Sequence, residues 1–273
     1  MSPNLISGFI LLFFLGASIA SFLGNISFRL GHDRPLWGGR SQCDHCAKPL
    51  PWWTLIPVLG YLLTRGKCAQ CGRKVPAKYP LFELFLGATL CLGFLRMQTL
   101  AADGFFTTDW LYAGYFVFIV WIVSALGMLA IYDIDYLLIL DRITYPAIAL
   151  TALLKLLLPG ASPTALAGDL LAGVISAAFI WFIVRLTRER GMGFGDIKLA
   201  LLVGLIGGWP NGLMAIWIAF VLGAVIGLLL VAAKQKGLRT QIPFGPFLSI
   251  GGMISFLYGD ILMHWYFSQF LLI

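Results

Sequence analysis

Apolar runs recur along the whole chain, at roughly 5–28, 80–98, 110–132, 143–158, 166–187, 196–208, 211–233 and 245–271. Short polar or Gly/Pro-rich breaks such as Gly207-Gly208-Trp209-Pro210 separate them. A helix needs about 20 apolar residues to cross a ~30 Å hydrocarbon core, so this pattern predicts about eight helices. The fourth and sixth runs are short, which suits tilted, broken or locally thinned positions. Residues 29–79 form the one sizeable stretch without such a run. No internal repeat and no low-complexity tract stands out. With 60% apolar and 11% charged residues, the composition excludes an ordinary soluble domain. The expected fold is an all-α polytopic membrane protein.

Charge sets the expected orientation. Segment 29–79 holds nine Lys/Arg against Asp33 and Asp44, a net +7, which equals the charge of the entire chain. The positive-inside rule places it in the cytoplasm. Counting onward, the loop near 99–109, with Asp103 and Asp109 and no basic residue, falls outside. The turn near 133–142 returns inside, 159–165 is outside, 185–196 (Arg185, Arg188, Arg190) inside, 208–211 outside, and 234–242 (Lys234, Lys236, Arg239) inside. Both termini are then periplasmic. The first run lacks a basic flank before it and reads as a retained helix rather than a cleaved signal. Many of the basic residues also suit snorkelling anchors.

Cys43-Asp44-His45-Cys46 and Cys68-Ala69-Gln70-Cys71 lie in the basic segment. Two CxxC turns about twenty residues apart match a four-thiolate zinc site, since each turn presents two sulfurs to one corner of a tetrahedron. A loop of about fifty residues has little core, so a metal can supply its folding energy. A pair of disulfides conflicts with a reducing cytosol, and a redox relay lacks a thioredoxin-like context. His45 is a bystander in this reading, and Cys91 a packing residue. Trp37, Trp52 and Trp53 suit a membrane interface.

Acidic residues are few. Asp33, Asp44, Asp103, Asp109 and Glu189 have loop or interface readings, Asp260 and His264 lie one turn apart in the last run, and Asp169 falls near an outer end. Glu83, behind Tyr79-Pro80-Leu81-Phe82, is either a helix-terminal charge partner or the lining of a site facing the cysteine segment. Asp133, Asp135, Asp141 and Asp196 cluster at the inner face by the charge count. On one helix Asp133 and Asp135 point about 200° apart. Asp141 could cap the following helix. Asp196 ends Gly191-Met192-Gly193-Phe194-Gly195-Asp196, whose glycines allow close backbone approach; a plain glycine turn with a capping aspartate is the alternative. A carboxylate fixed in a bilayer costs about 2.5–3.5 kcal/mol, so such groups call for a reason. Periodicity alone does not choose among the four.

The chain resembles the type IV prepilin peptidases, the GxGD-class membrane aspartic proteases. Gly193-Phe194-Gly195-Asp196 followed by Ile197-Lys198-Leu199 matches their signature, and Asp133-x-Asp135 with Asp141 looks like their first-aspartate motif. Ser41-Gln42-Cys43 through Tyr79-Pro80-Leu81-Phe82-Glu83, enclosing Ile56-Pro57-Val58-Leu59-Gly60, resembles their cytoplasmic zinc-bearing segment. Ser21-Phe22-Leu23 with Arg29-Leu30 is similar to their N-terminal signature. Leu140 stands where the family usually has proline, and Gly24 precedes Asn25 where Asn usually comes first.

The resemblance implies a first transmembrane helix over 1–28, a cytoplasmic zinc-binding segment over 29–79 and a transmembrane aspartic protease domain over 80–273. It selects Asp133 and Asp196 as the catalytic pair and Cys43, Cys46, Cys68 and Cys71 as ligands of a structural Zn²⁺. It implies cleavage of the leader of type IV prepilins or type II secretion pseudopilins at the cytoplasmic face of the bacterial inner membrane. It also implies methylation of the new N-terminus by S-adenosylmethionine, with Glu83 as the candidate cofactor contact. No nucleic-acid partner is implied. Two carboxylates in contact share a proton, the arrangement of an aspartic hydrolase. A transporter or channel using the carboxylates as an ion or proton site is the alternative; it predicts midplane charges and repeat symmetry. A zinc-stabilised assembly subunit without chemistry is a third reading.

Overall fold

The computed structural model describes residues 3–36, 39–43, 45–157, 162–188, 192–233 and 242–270. Trp37, Asp44, Glu189, Arg190, Gly191, Lys234, Lys236 and Arg239, and residues 159–161 of the expected outer turn, lie outside the described residues. The chain divides into two compact units, residues 1–98 and 99–273.

The first unit is built on α1 (Pro3–Gly31) and α3 (Lys78–Ala102). They run antiparallel: Cys91 Sγ reaches Phe9 O, Gly87 meets Phe13, Gly16 meets Leu86, and Gly24 lies by Tyr79. The crossing needs small residues, because a Cβ on Gly16 would stand 2.7 Å from Leu86 O and one on Gly87 would stand 2.8 Å from the Phe13 ring. Cys91 is a packing residue here, as its position in an apolar run suggests. Between the helices the chain forms two cysteine knuckles, a 3₁₀ turn (Trp52–Leu55) and the short α2 (Leu59–Leu63).

Among its described residues the second unit has six helices: α4 (Asp109–Tyr136), α5 (Asp141–Leu157), α6 (Pro163–Leu186), α7 (Phe194–Gly207), α8 (Asn211–Ala232) and α9 (Gly245–Phe270). Helix α6 starts by local rule, with the Ser162 hydroxyl accepting from Ala165 N–H at 3.0 Å and Pro163 at the first helical position. Helix α7 sits in the middle, packed by α5, α6, α8 and α9. Leu199, Leu202, Val203, Leu205 and Ile206 are all but fully buried. Glycine lets its neighbours come that close: a Cβ on Gly204 would stand 2.7 Å from Gly173 and from the Ser176 hydroxyl.

Among the described residues, eight helices of 14 residues or more stand at the predicted apolar runs. Six of them, α1, α3, α4, α6, α8 and α9, are long and apolar enough to cross a membrane. The two short runs became α5 and α7, of 17 and 14 residues. At ~1.5 Å per residue α7 extends only about 21 Å. The reason is tertiary: a helix surrounded by protein need not match the bilayer. No β-strand occurs among the described residues, only the isolated bridges Gln42↔Pro49 and Lys67↔Lys74.

Candidate functional site

In the second unit the last turn of α4 delivers Asp133. The helix runs on to Tyr136 and stops with Leu137 in the left-handed region, φ 54°. Because Asp133 and Asp135 both lie on regular helix, they diverge: Asp133 is buried and Asp135 half-buried. Asp133 Oδ2 accepts the N–H of Gly245, the first residue of α9, at 2.9 Å. A helix N-terminus presents unpaired N–H groups and a positive dipole end, which suits a carboxylate. Glycine leaves the carboxylate undisturbed there, since a Cβ would stand 2.6 Å from that same oxygen and displace it.

Asp196 lies at the third position of α7 and is also buried. Its Oδ2 accepts from Gly193 N–H at 2.9 Å, a reciprocal cap on its own helix. The capping aspartate weighed from sequence takes another form: Gly193 is the N-cap, and Asp196 reaches back to its N–H from the third helical position. That bond engages one oxygen, and the charge of Asp133 reaches Asp196 as well. Gly195 allows the turn to approach α5's leading segment, where a Cβ would stand 2.9 Å from Ile139 Cβ. Two buried carboxylates from different helices therefore lie within charge range, each fixed by one backbone N–H among the described residues.

Asp141 opens α5, and its Oδ1 accepts from Lys198 Nζ at 2.6 Å. Lys198 also lies over the Tyr145 ring, 5.3 Å from its centroid. Sequence alone did not show this pair; only the packing of α5 on α7 brings together positions 57 residues apart. A second pair was also missed. Lys155 Nζ donates to Asp169 Oδ2 at 2.7 Å between α5 and α6. The signal for it was there: two opposite charges near the adjoining ends of consecutive helices, 14 residues apart in the chain.

In the first unit the four cysteine sulfurs lie within 4.8 Å of one another. Tetrahedral zinc with Zn–S near 2.3 Å sets sulfurs about 3.8 Å apart, and Cys43 Sγ to Cys71 Sγ is 3.9 Å. The thiols are free, so donor set and spacing fit a Zn²⁺ ion. The two knuckles are copies of one turn. Cys43 N–H donates to Lys48 O and Ala47 N–H to Cys43 O; Cys68 N–H donates to Arg73 O and Gly72 N–H to Cys68 O. Ala47 (φ 54°) and Gly72 (φ 70°) hold the same left-handed corner. Backbone hydrogen bonds from Cys71 and Gln70 draw the Cys68 thiol down to about 7. Cys71 goes the other way, to about 11: a backbone bond from Arg73 lowers it, and burial with the neighbouring Cys68, Cys43 and Cys46 sulfurs outweighs that. His45 stays outside the cluster, its Nδ1 3.3 Å from Arg73.

Glu83, on α3, is buried and accepts Val58 N–H at 2.7 Å, with the Ser21 hydroxyl beside it. It lines a cavity of about 520 Å³, a common size for a small-molecule site. Asn25 ties α1 to the loop: its Oδ1 accepts from Arg29 Nε and its Nδ2 donates to Ser41. Arg29 then braces the loop through Pro35 O, Leu36 O and Gly39 O.

These two units correspond to two known protein families. Residues 14–97 match the bacterial peptidase A24 N-terminal domain, and residues 118–228 match the type IV leader peptidase family. The chain is 32% identical to a protein of Aeromonas hydrophila named prepilin leader peptidase/N-methyltransferase, over 88% of this chain and 80% of that one. It is 31% identical to proteins of the same name from Stutzerimonas stutzeri and Pseudomonas putida, over 81% of this chain and 72% of each. No solved structure gives a significant match. Nothing in these matches supports a transporter. Matched in both units and at this identity over most of its length, the multi-pass chain belongs to the type IV leader peptidase family.

Proposed function

We propose that this protein is a membrane aspartic endopeptidase that removes the leader from type IV prepilins or type II secretion pseudopilins and methylates the N-terminus it exposes. The observation that carries the peptidase reading is the pair Asp133 and Asp196: two buried carboxylates within charge range, each held by a backbone N–H. In such a pair one carboxyl carries a proton and the other does not. The ionised member takes a proton from water as it attacks; the protonated one polarises the scissile carbonyl. The dyad acts as a unit, so neither residue owns one role. The backbone N–H bonds keep one oxygen of each carboxylate anchored and leave the other for water and substrate.

In this reading residues 1–28 are a first membrane helix, 29–79 a zinc segment and 80–273 the protease domain. Cys43, Cys46, Cys68 and Cys71 hold a structural Zn²⁺, and the methyl donor is S-adenosylmethionine. Its site is the cavity beside Glu83, because the fold offers no Gly-rich strand-to-helix nucleotide turn among the described residues. The net +7 of segment 29–79 supports a cytoplasmic active site in the bacterial inner membrane with periplasmic termini. The apolar pilin helix enters from the side between helices, with its basic leader drawn to Asp135 and the aspartate pair.

Incubating the purified protein with a type IV prepilin, with and without S-adenosylmethionine, and weighing the product tests both activities. Asp133→Asn and Asp196→Asn should each lower cleavage by a factor on the order of 10²–10⁴. Cleavage near the wild-type rate by either variant refutes the mechanism.

A further inference from the structure

The cavity in the first unit has an uneven charge. Arg34, Arg40, Lys67 and Lys74 are among its lining residues, and Glu83 is the one carboxylate among those described. A basic leader is repelled by such a wall, whereas a lone carboxylate set into it marks the place for a single cation. Glu83 is 9% exposed. Its position is over-determined: Val58 N–H holds Oε2 at 2.7 Å, and Ser21 stands beside it. Val58 adopts φ 62° to aim that N–H. A β-branched residue resists the left-handed region, and strain of this kind persists where the surroundings impose it.

In the reading proposed above, two cations meet in this cavity, the sulfonium of the methyl donor and the α-ammonium of the new N-terminal residue, and the ammonium is the one that must lose a proton before it can accept the methyl group. Resting on the methyltransferase reading above, we propose that Glu83 is a catalytic base of the methyl transfer, binding this ammonium and taking its proton. The step balances. The ammonium gives one proton to the Glu83 carboxylate. The freed lone pair forms the N–CH₃ bond, the S–CH₃ bond of the sulfonium donor breaks, and its electron pair stays on sulfur as a neutral thioether. The product is a secondary ammonium, and Glu83 returns its proton to water. A base is needed because an α-amine titrates near 8 and is roughly nine-tenths protonated at pH 7.

Glu83→Gln separates this role from packing, since the amide oxygen still accepts from Val58 N–H. With the full-length protein, prepilin and S-adenosylmethionine, methylated product is measured between about pH 6.5 and 9.5. The variant is expected to methylate about tenfold more slowly at neutral pH, because only about a tenth of the amine is then free. It should then recover about tenfold per pH unit until the amine itself is deprotonated near pH 8. Leader cleavage by the variant, read in the same reaction, should stay within about threefold of wild type, since Glu83 takes no part in the peptide-bond step. Glu83→Asp, which keeps a carboxylate, should show no such alkaline recovery at its reduced rate. Wild-type-like methylation by Glu83→Gln at neutral pH, or a loss without alkaline recovery, overturns the proposal. A wild-type protein that cleaves but never methylates overturns the methyltransferase reading itself, and this proposal with it.

Discussion

Gly245 donates its backbone N–H to Asp133 Oδ2 at 2.9 Å, and a side chain at that position would overlap the oxygen it holds. The first turn of α9 is therefore part of the carboxylate's setting, although position 245 is 112 residues away in the chain. Gly245→Ala pushes on the far end of one side chain, not on backbone. It should leave thermal stability within a few degrees while displacing the carboxylate. Leader cleavage is expected to fall about 10²-fold, the scale of a ~1 Å misplacement. Unchanged cleavage kinetics would show that this contact does not set the geometry.

The four sulfurs within 4.8 Å predict about one zinc ion per chain, lost or sharply reduced in Cys71→Ser. Metal analysis of purified protein before and after chelation checks this. Chelation should loosen segment 29–79, read as faster proteolysis there, because the loop draws folding energy from the metal.

Ala47 and Gly72 occupy the same corner of matching knuckles at φ 54° and 70°. Ala47→Gly should relieve strain by about 0.5–1 kcal/mol, and Gly72→Ala should add about as much. The rate of zinc release to a chelator should slow in the first variant and quicken in the second. Equal rates in both would show that the backbone corner carries no strain.

Lys155 and Asp169 form a 2.7 Å pair with side chains 14% and 24% exposed. Lys155→Met leaves a half-buried carboxylate alone and should cost about 1–3 kcal/mol, less than for a fully buried pair. The double variant with Asp169→Leu should recover much of that loss in a thermal melt. A double variant as unstable as the single one would contradict the charge argument.

Much of the fold can be read along the sequence. Apolar runs of near membrane length forecast each long helix, because every backbone group in lipid must be satisfied within its own segment, so span and helix coincide. The CxxC spacing forecast the sulfur cluster, because a turn that presents two thiols is local. Family resemblance named Asp133 and Asp196. Contacts across distant helices stayed hidden: Asp141 with Lys198, Lys155 with Asp169, Asp133 with Gly245. No periodicity within one helix encodes which neighbour its end will meet.

By itself the sequence determined the class of protein, the helices, the cysteine turns and the acidic residues, since each follows from local composition and spacing. The tertiary structure decided that α7 lies enclosed by protein, that Asp133 and Asp196 come within charge range, and that Glu83 is the lone carboxylate among the described lining of a basic cavity. Those relations depend on how closely helices approach. Side-chain volumes at the crossings set that approach, above all the missing Cβ atoms of Gly16, Gly87, Gly204 and Gly245.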